Sequence, residues 1–158
     1  MHTERTLQHS VLQVDLAAID HNCNVLRNHI GNQCKLCTVV KADGYGLGAA
    51  RVATILQHHA DLFAVYSPDE ASQLLNRGIS TPILILAPVH AIDRMHPVFN
   101  GLSEGKVQLV VHSSQQFEAL QSIALRLGIT ISVQIKIDTG LHRGGCELED
   151  AGFIIEAI

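Results

Sequence analysis

The run PILILA, from Pro82 to Ala87, sets four isoleucines and leucines in succession and carries no charge. A strand with one face in water alternates apolar with polar side chains. A run that is apolar throughout belongs to a strand covered on both faces, as in a parallel sheet packed between other layers. The flanking segments carry helical signals. Upstream, Ser67-Pro68-Asp69-Glu70 forms a capping box with proline at the first helical position, and Gly78 closes the helix that follows. Downstream, after a loop or short helix, KVQLVVHS (Lys106 to Ser113) predicts a strand. SSQQFEALQSIALRLG then places Phe117, Leu120, Ile123, Ala124 and Leu127 on one helical face.

The same alternation extends outward. VLQVDL (Val11 to Leu16) predicts a half-exposed strand, and AAIDHNCNVLRNHIG a helix with Ile19, Cys23, Leu26 and Ile30 on one face, ending at Gly31. KLCTVV predicts a buried strand. AARVATILQHHA predicts a helix with Val52, Ile55, Leu56 and His59 at i, i+3, i+4, i+7 spacing, followed by the strand LFAVY. TISVQIKID (Thr130 to Asp138) predicts the last strand, and EDAGFIIEAI opens another helix. About five β/α units follow one another, which is α/β architecture with parallel strands. Two windings satisfy this pattern. A doubly wound sheet lacks support from a nucleotide fingerprint: Gly44, Gly46 and Gly48 stand at the wrong interval, and no phosphate-binding P-loop motif occurs. The alternative is a (β/α)8 TIM-type barrel, which presents reactive groups just past the carboxyl ends of its strands. Five strands cannot close such a barrel, so on that reading residues 1–158 are part of something longer.

Composition narrows the function classes. With 158 residues, 47% hydrophobic and 16% charged, the chain can bury about 70% of its unfolded surface in a core. A net charge of -4 with scattered Lys and Arg argues against a nucleic-acid partner. No run reaches the roughly 18 apolar residues of a membrane span, and MHTERTLQHS has no signal-peptide character, so cytoplasmic localisation is expected. Cys23, Cys34, Cys37 and Cys146 are expected as reduced thiols, and Cys34-x-x-Cys37 lacks the second pair of a zinc site. The ten histidines show no ligand spacing, and no metal is expected.

Two stretches carry residues suited to chemistry. In VVKADGYGLG, Lys41 ends a strand on the same face as Val39 and Cys37, where an apolar run meets a glycine-rich turn. A desolvated lysine amine there suits Schiff-base formation with a carbonyl, and pyridoxal phosphate (PLP) is the carbonyl cofactor that uses it. Tyr45, between two glycines, could donate its hydroxyl to a phosphate. In the strand that leads into KIDTGLHRGG, alternation puts Ser132, Gln134, Lys136 and Asp138 opposite Ile131, Val133, Ile135 and Ile137, facing water or a barrel lumen. Arg143, on a glycine-bounded loop, is expected to partner Lys136 and Asp138 or to anchor a ligand.

Together these motifs resemble the alanine racemase family of PLP-dependent fold-type III enzymes. VVKADGYGLGA matches the family pattern A-V-V-K-A-N-A-Y-G-H-G, and KIDTGLHRGG matches K-V-D-T-G-M-x-R-x-G. LQVDLAAIDHNCNVLR, SPDEASQLLNRGI and PILILA align between them, so the resemblance covers nearly the whole chain. It implies the barrel, with this chain supplying about the first five β/α units and a carboxyl-terminal β-domain absent. It implies that Lys41 carries PLP and serves as one of two catalytic bases, Tyr45 contacts the phosphate, and Leu86 lines the cofactor ring. Arg143 would bond the phenolic oxygen, and Lys136 matches a lysine that some members carbamylate. The implied activity is interconversion of L- and D-alanine in a homodimer acting on a small amino acid, supplying D-alanine for peptidoglycan. Asp43 and Gly44 depart from the family's Asn and Ala, and Leu47 from a common His. The opposing tyrosine is expected beyond Ile158, so the 158-residue chain is expected not to racemise unaided. A non-catalytic PLP- or partner-binding remnant, a broad-specificity racemase and a basic amino-acid decarboxylase are the alternatives.

Overall fold

Every strand pairs with the next strand in the chain. The computed structural model describes residues 11–158; the stretch Met1 to Ser10, read above for its lack of signal-peptide character, lies outside them. Strands β1 (Cys37–Val39), β2 (Leu62–Val65), β3 (Ile83–Ile85), β4 (Val107–Val111) and β5 (Ser132–Ile135) form one sheet in the order β1-β2-β3-β4-β5. All four pairings are parallel. A doubly wound sheet reverses strand order at its centre. Strict chain order is the winding of a β/α barrel, and five strands form an open portion of one.

Helices α1 (Leu16–Ile30), α3 (Ala49–Leu56), α4 (Pro68–Asn76), α5 (Phe99–Ser103), α6 (Ser114–Leu127) and α7 (Leu148–Ala157) lie on one face of the sheet, while α2 (Lys41–Tyr45) is a single turn. The side chains of Phe63, Val65, Ile83, Ile85, Val107, Leu109 and Val111 form one core with Val52, Leu56, Leu74, Leu102, Phe117 and Leu120 from the helices. The opposite, lumen-facing set is smaller: Ala64, Leu84 and Val110 are buried, with Leu62 and Leu86 packed against them. The uniform apolarity of PILILA follows, because Ile83 and Ile85 meet the helices and Leu84 the lumen layer. At the edge strands the lumen face opens: Val39 is 41% exposed, and Ser132 and Gln134 are exposed.

Helix ends obey local chemistry. Ser67 accepts from Glu70 N and Glu70 reaches back, closing the capping box of α4. Ser113 caps α6, and Gly31 and Gly128 end α1 and α6. The expected strand over Val11 to Leu16 is absent. Leu16 begins α1, and Asp15 is its N-cap, accepting from Ala18 N at 3.0 Å. The alternation of VLQVDL is real, but the segment pairs with no strand of the sheet, and Asp15 and Leu16 are taken up by the start of α1. On α1, Cys23 is buried whereas Leu26 is 56% exposed, so the expected apolar face is narrower than its spacing suggests.

Arg27 ties α1 to the amino-terminal ends of β1 and β2. It donates to the His59 carbonyl at 3.0 and 2.6 Å, to the Cys34 carbonyl at 2.9 Å, and to the Asp61 carboxylate. Asp61 also accepts from Leu36 N at 2.7 Å. That backbone N–H, and then the guanidinium, hold the Asp61 carboxyl below its ordinary range. Arg27→Ala should cost about 1–3 kcal/mol, read from the urea midpoint, because its acceptors lose a charged donor. Asp61→Asn should destabilise at neutral pH. A depressed folded value contributes stability that is full above the unfolded 3.8 and fades as pH falls through the folded value, so mutant and wild type should converge below 3.8.

Candidate active site

The register carries three side chains to one level at the carboxyl ends. Val39, Ala64 and Leu84 are partners across β1, β2 and β3. Two residues further on, the same face presents Lys41, Tyr66 and Leu86. Their backbones stay in step, with Val40 N bonded to Ala64 O at 2.8 Å and Leu86 N to Val65 O at 2.9 Å. His112 and Lys136 close β4 and β5, and Lys136 N donates to Val111 O at 2.9 Å. Lys41 is half-buried, and its Nζ stands 6.0 Å from the centroid of the Tyr66 ring, a cation–π distance. Among the described residues no carboxylate pairs with the Lys41 amine.

Beyond Lys41 the backbone turns left-handed for four residues: Ala42, Asp43, Gly44 and Tyr45 have φ of 52°, 51°, 64° and 56°. Non-glycine residues lose about 1–2 kcal/mol each in this region, so other contacts must hold the turn. Gly44 N donates to Val40 O at 2.9 Å, Gly48 N to Asp43 O at 2.8 Å, and Ala49 N to the Asp43 carboxylate at 2.8 Å. Asp43, a departure from the family pattern, thereby ties the turn to the start of α3. Gly44 is buried against Ala49, whose N would lie 3.2 Å from any added Cβ. Tyr45 points outward, 65% exposed.

Leu86 belongs to the lumen layer, and its carbonyl meets His112 Nε2 at 2.8 Å. A carbonyl only accepts, so Nε2 carries the proton in this pairing. The fully buried Gln116 secures the end of β4, accepting from His112 N at 2.8 Å and donating to Val110 O at 3.0 Å. The loop after β5 folds back on itself: Cys146 N donates to Lys136 O at 2.8 Å and Asp138 N to Cys146 O at 3.0 Å. Lys136 Nζ donates to the Gly144 carbonyl. The Asp138 carboxylate accepts from His142 N and Gly140 N, each at 3.0 Å, and those two N–H groups hold it below the ordinary carboxylate range. Arg143 is exposed. The expected partnership of Arg143 with Lys136 and Asp138 is thus taken by loop backbone and His142. Sequence reasoning overlooked Tyr66, His112, Gln116 and Glu70, whose carboxylate accepts from Ala42 N and Tyr66 N, as members of this end of the sheet. Tyr66 and His112 each follow the last residue of a strand, the available signal; the reach of Glu70 and Gln116 has none.

The family model for the alanine racemase N-terminal domain matches residues 14–158. The chain belongs to that family. The alanine racemase of Mycobacterium bovis is 44% identical over 133 residues, 84% of this chain and 33% of that protein. The crystal structure of alanine racemase from Corynebacterium glutamicum superposes with a TM-score of 0.75 at 35% identity, covering 91% of this chain and 40% of that one. An alanine racemase from Bartonella henselae with covalently bound pyridoxal phosphate shares the fold, with a TM-score of 0.70 at 24% identity over 90% of this chain and 39% of that one. The chain spans about a third of the length of the curated alanine racemases it matches.

Gly145 tests the loop that carries Lys136 and Arg143. Its φ is +116°, and a Cβ there would lie 2.7 Å from Asp138 N and 3.0 Å from Lys136 O. Gly145→Ala should therefore break the Lys136–Cys146 pairing and destabilise the chain by more than about 1 kcal/mol. Thermal unfolding and loss of exchange protection at the Cys146 amide would report it.

Proposed function

We propose that this chain is the cofactor-lysine portion of an alanine racemase, interconverting L- and D-alanine when the rest of that enzyme is present. The observation that carries the reading is the place of Lys41: the carboxyl end of β1, on the lumen face, beside Tyr66 and level with Leu86, with its amine unpaired by any described carboxylate. These residues fit pyridoxal phosphate. Lys41 offers a primary amine to the aldehyde, and Leu86 an apolar wall. Tyr45, exposed at the end of the Ala42–Tyr45 turn, is the candidate hydroxyl donor to the phosphate. Arg143 is the candidate donor to the phenolic oxygen. Lys136, which anchors the Arg143 loop through the Gly144 carbonyl, is the candidate for carbamylation.

The chemistry that pyridoxal phosphate supplies when bound is delocalisation of the electron pair left on Cα. The protein's part is positional. Lys41 would hold the cofactor through its amine, and Nζ, when free of it, would carry the Cα proton on the face that serves the D-enantiomer. A base on the opposite face must complete the exchange. Tyr66 does not meet that need, because it stands beside Lys41 on the neighbouring strand. On this reading the second base is a tyrosine supplied by the remainder of a homodimeric enzyme. Cytoplasmic placement and a supply of D-alanine for peptidoglycan belong to the same proposal. No helix among the described residues is long and apolar enough to cross a membrane.

Adding pyridoxal phosphate to the purified chain should produce an absorbance band, beyond that of the free cofactor and of exposed lysines such as Lys106, that Lys41→Ala removes. With L-alanine the chain alone should form no D-alanine above the free cofactor. A band undiminished by Lys41→Ala would refute the cofactor assignment, and robust racemisation would refute the need for a second base.

A further inference from the structure

We propose that Glu70 is a positioning residue for Lys41, acting as the last rung between β1 and β2. The proposal deepens the cofactor reading above and, for its effect on cofactor capture, rests on it. The ladder between these strands runs through Leu62 N to Leu36 O and Val40 N to Ala64 O. Continued at the same spacing, its next rungs would send Tyr66 N to Val40 O and Ala42 N to Tyr66 O. Neither forms. The Val40 carbonyl takes Gly44 N at 2.9 Å and the Tyr66 carbonyl takes Ala87 N at 2.9 Å, because the chain leaves the sheet at Lys41 for its left-handed turn.

Two backbone N–H groups are thereby deprived of the ladder, and Glu70 takes both. Oε2 accepts from Tyr66 N at 2.6 Å, and Oε1 accepts from Ala42 N at 2.8 Å. A capping box needs only the reciprocal contact within its own turn, which is also present: Glu70 N to Ser67 Oγ at 3.3 Å and Ser67 N to Oε2 at 3.4 Å. The second oxygen goes beyond helix capping to a residue 28 positions away. Lys41 is consequently bracketed, its preceding N–H held by β2 and its following N–H held by the carboxylate. Tyr66, whose ring lies beneath the Lys41 amine, is held by the same group. Charge-assisted bonds of this kind are the strong ones. Here they fix the left-handed entry at Ala42, and with it the direction of the Lys41 side chain.

The test compares wild type, Glu70→Gln and Glu70→Asp in the full 158-residue chain. Glu70→Gln keeps length but replaces one acceptor oxygen by an NH2 group. Glu70→Asp keeps the charge, yet is a methylene too short to hold both strand ends. Each protein is treated with pyridoxal phosphate, reduced with borohydride and digested, and label at Lys41 is measured against label at the exposed Lys106. In parallel, amide exchange is followed at Ala42, Tyr66 and the central sheet residues Phe63 and Ile83. Both variants should lower the Lys41-to-Lys106 labelling ratio by about tenfold and speed Ala42 exchange by at least about tenfold. Phe63 and Ile83 should keep their protection. An unchanged labelling ratio in both variants would overturn the proposal and leave Glu70 a helix cap. If wild-type label shows no preference for Lys41, the cofactor reading fails instead. The exchange data then decide the clamp alone: faster Ala42 and Tyr66 amides over a protected sheet sustain it, and unchanged ones refute it.

Discussion

The structure depends on one constraint: each strand is hydrogen-bonded in parallel to the strand that follows it in the chain. Parallel neighbours cannot be joined by a tight turn, so a crossover must intervene. With the strands in chain order, the crossovers of β2 to β4 cover one face with helices and leave the other to a small apolar layer of Ala64, Leu84 and Val110. All carboxyl ends then point the same way. Lys41, Tyr66, Leu86, His112 and Lys136 come together because each stands just past a strand, Lys41 by two residues and the others by one, not because any of them attracts another.

That end of the sheet is where the chain accepts unfavourable local conformations. Three non-glycine residues after Lys41 adopt left-handed backbone, a cost the surroundings must offset. They do so with polar contacts to separate elements: Asp43 to the start of α3, and Glu70 of α4 to Ala42. At the far side, Lys136 and Asp138 are occupied by the backbone of their own loop. The Lys41 amine has the Tyr66 ring for a neighbour and no described carboxylate. A lysine left in that state, on a backbone held this firmly, is available to a carbonyl ligand in a way that Lys136 is not.

Much of this was legible in the residues. PILILA announced a strand covered twice, the Ser67 to Glu70 box announced a helix start, and Gly31 and Gly128 announced helix ends. These are local signals, and the structure shows each of them. The strand expected over Val11 to Leu16 went astray because alternation records which side chains are apolar, not whether a neighbouring ladder exists. The glycines of VVKADGYGLG marked a turn, but Ala42 and Asp43 conceal its hand, since L-residues do not advertise positive φ. Arg143 looked like the partner of Lys136, whereas the Gly144 carbonyl, invisible in a pattern of side chains, fills that role. The two reaches that organise the site, Glu70 to Ala42 and Gln116 to His112, join separate parts of the backbone and have no periodic signature.

On the proposed function, the lumen face at the carboxyl end of β1 is a pyridoxal phosphate site built on Lys41. A crystal structure of the borohydride-reduced adduct of this chain tests it most directly. Cofactor density should be continuous with Lys41 Nζ and lie on the Leu86 side of the sheet above a left-handed Ala42–Tyr45 turn. Density joined to another lysine, or lying on the helix-covered face, would contradict it.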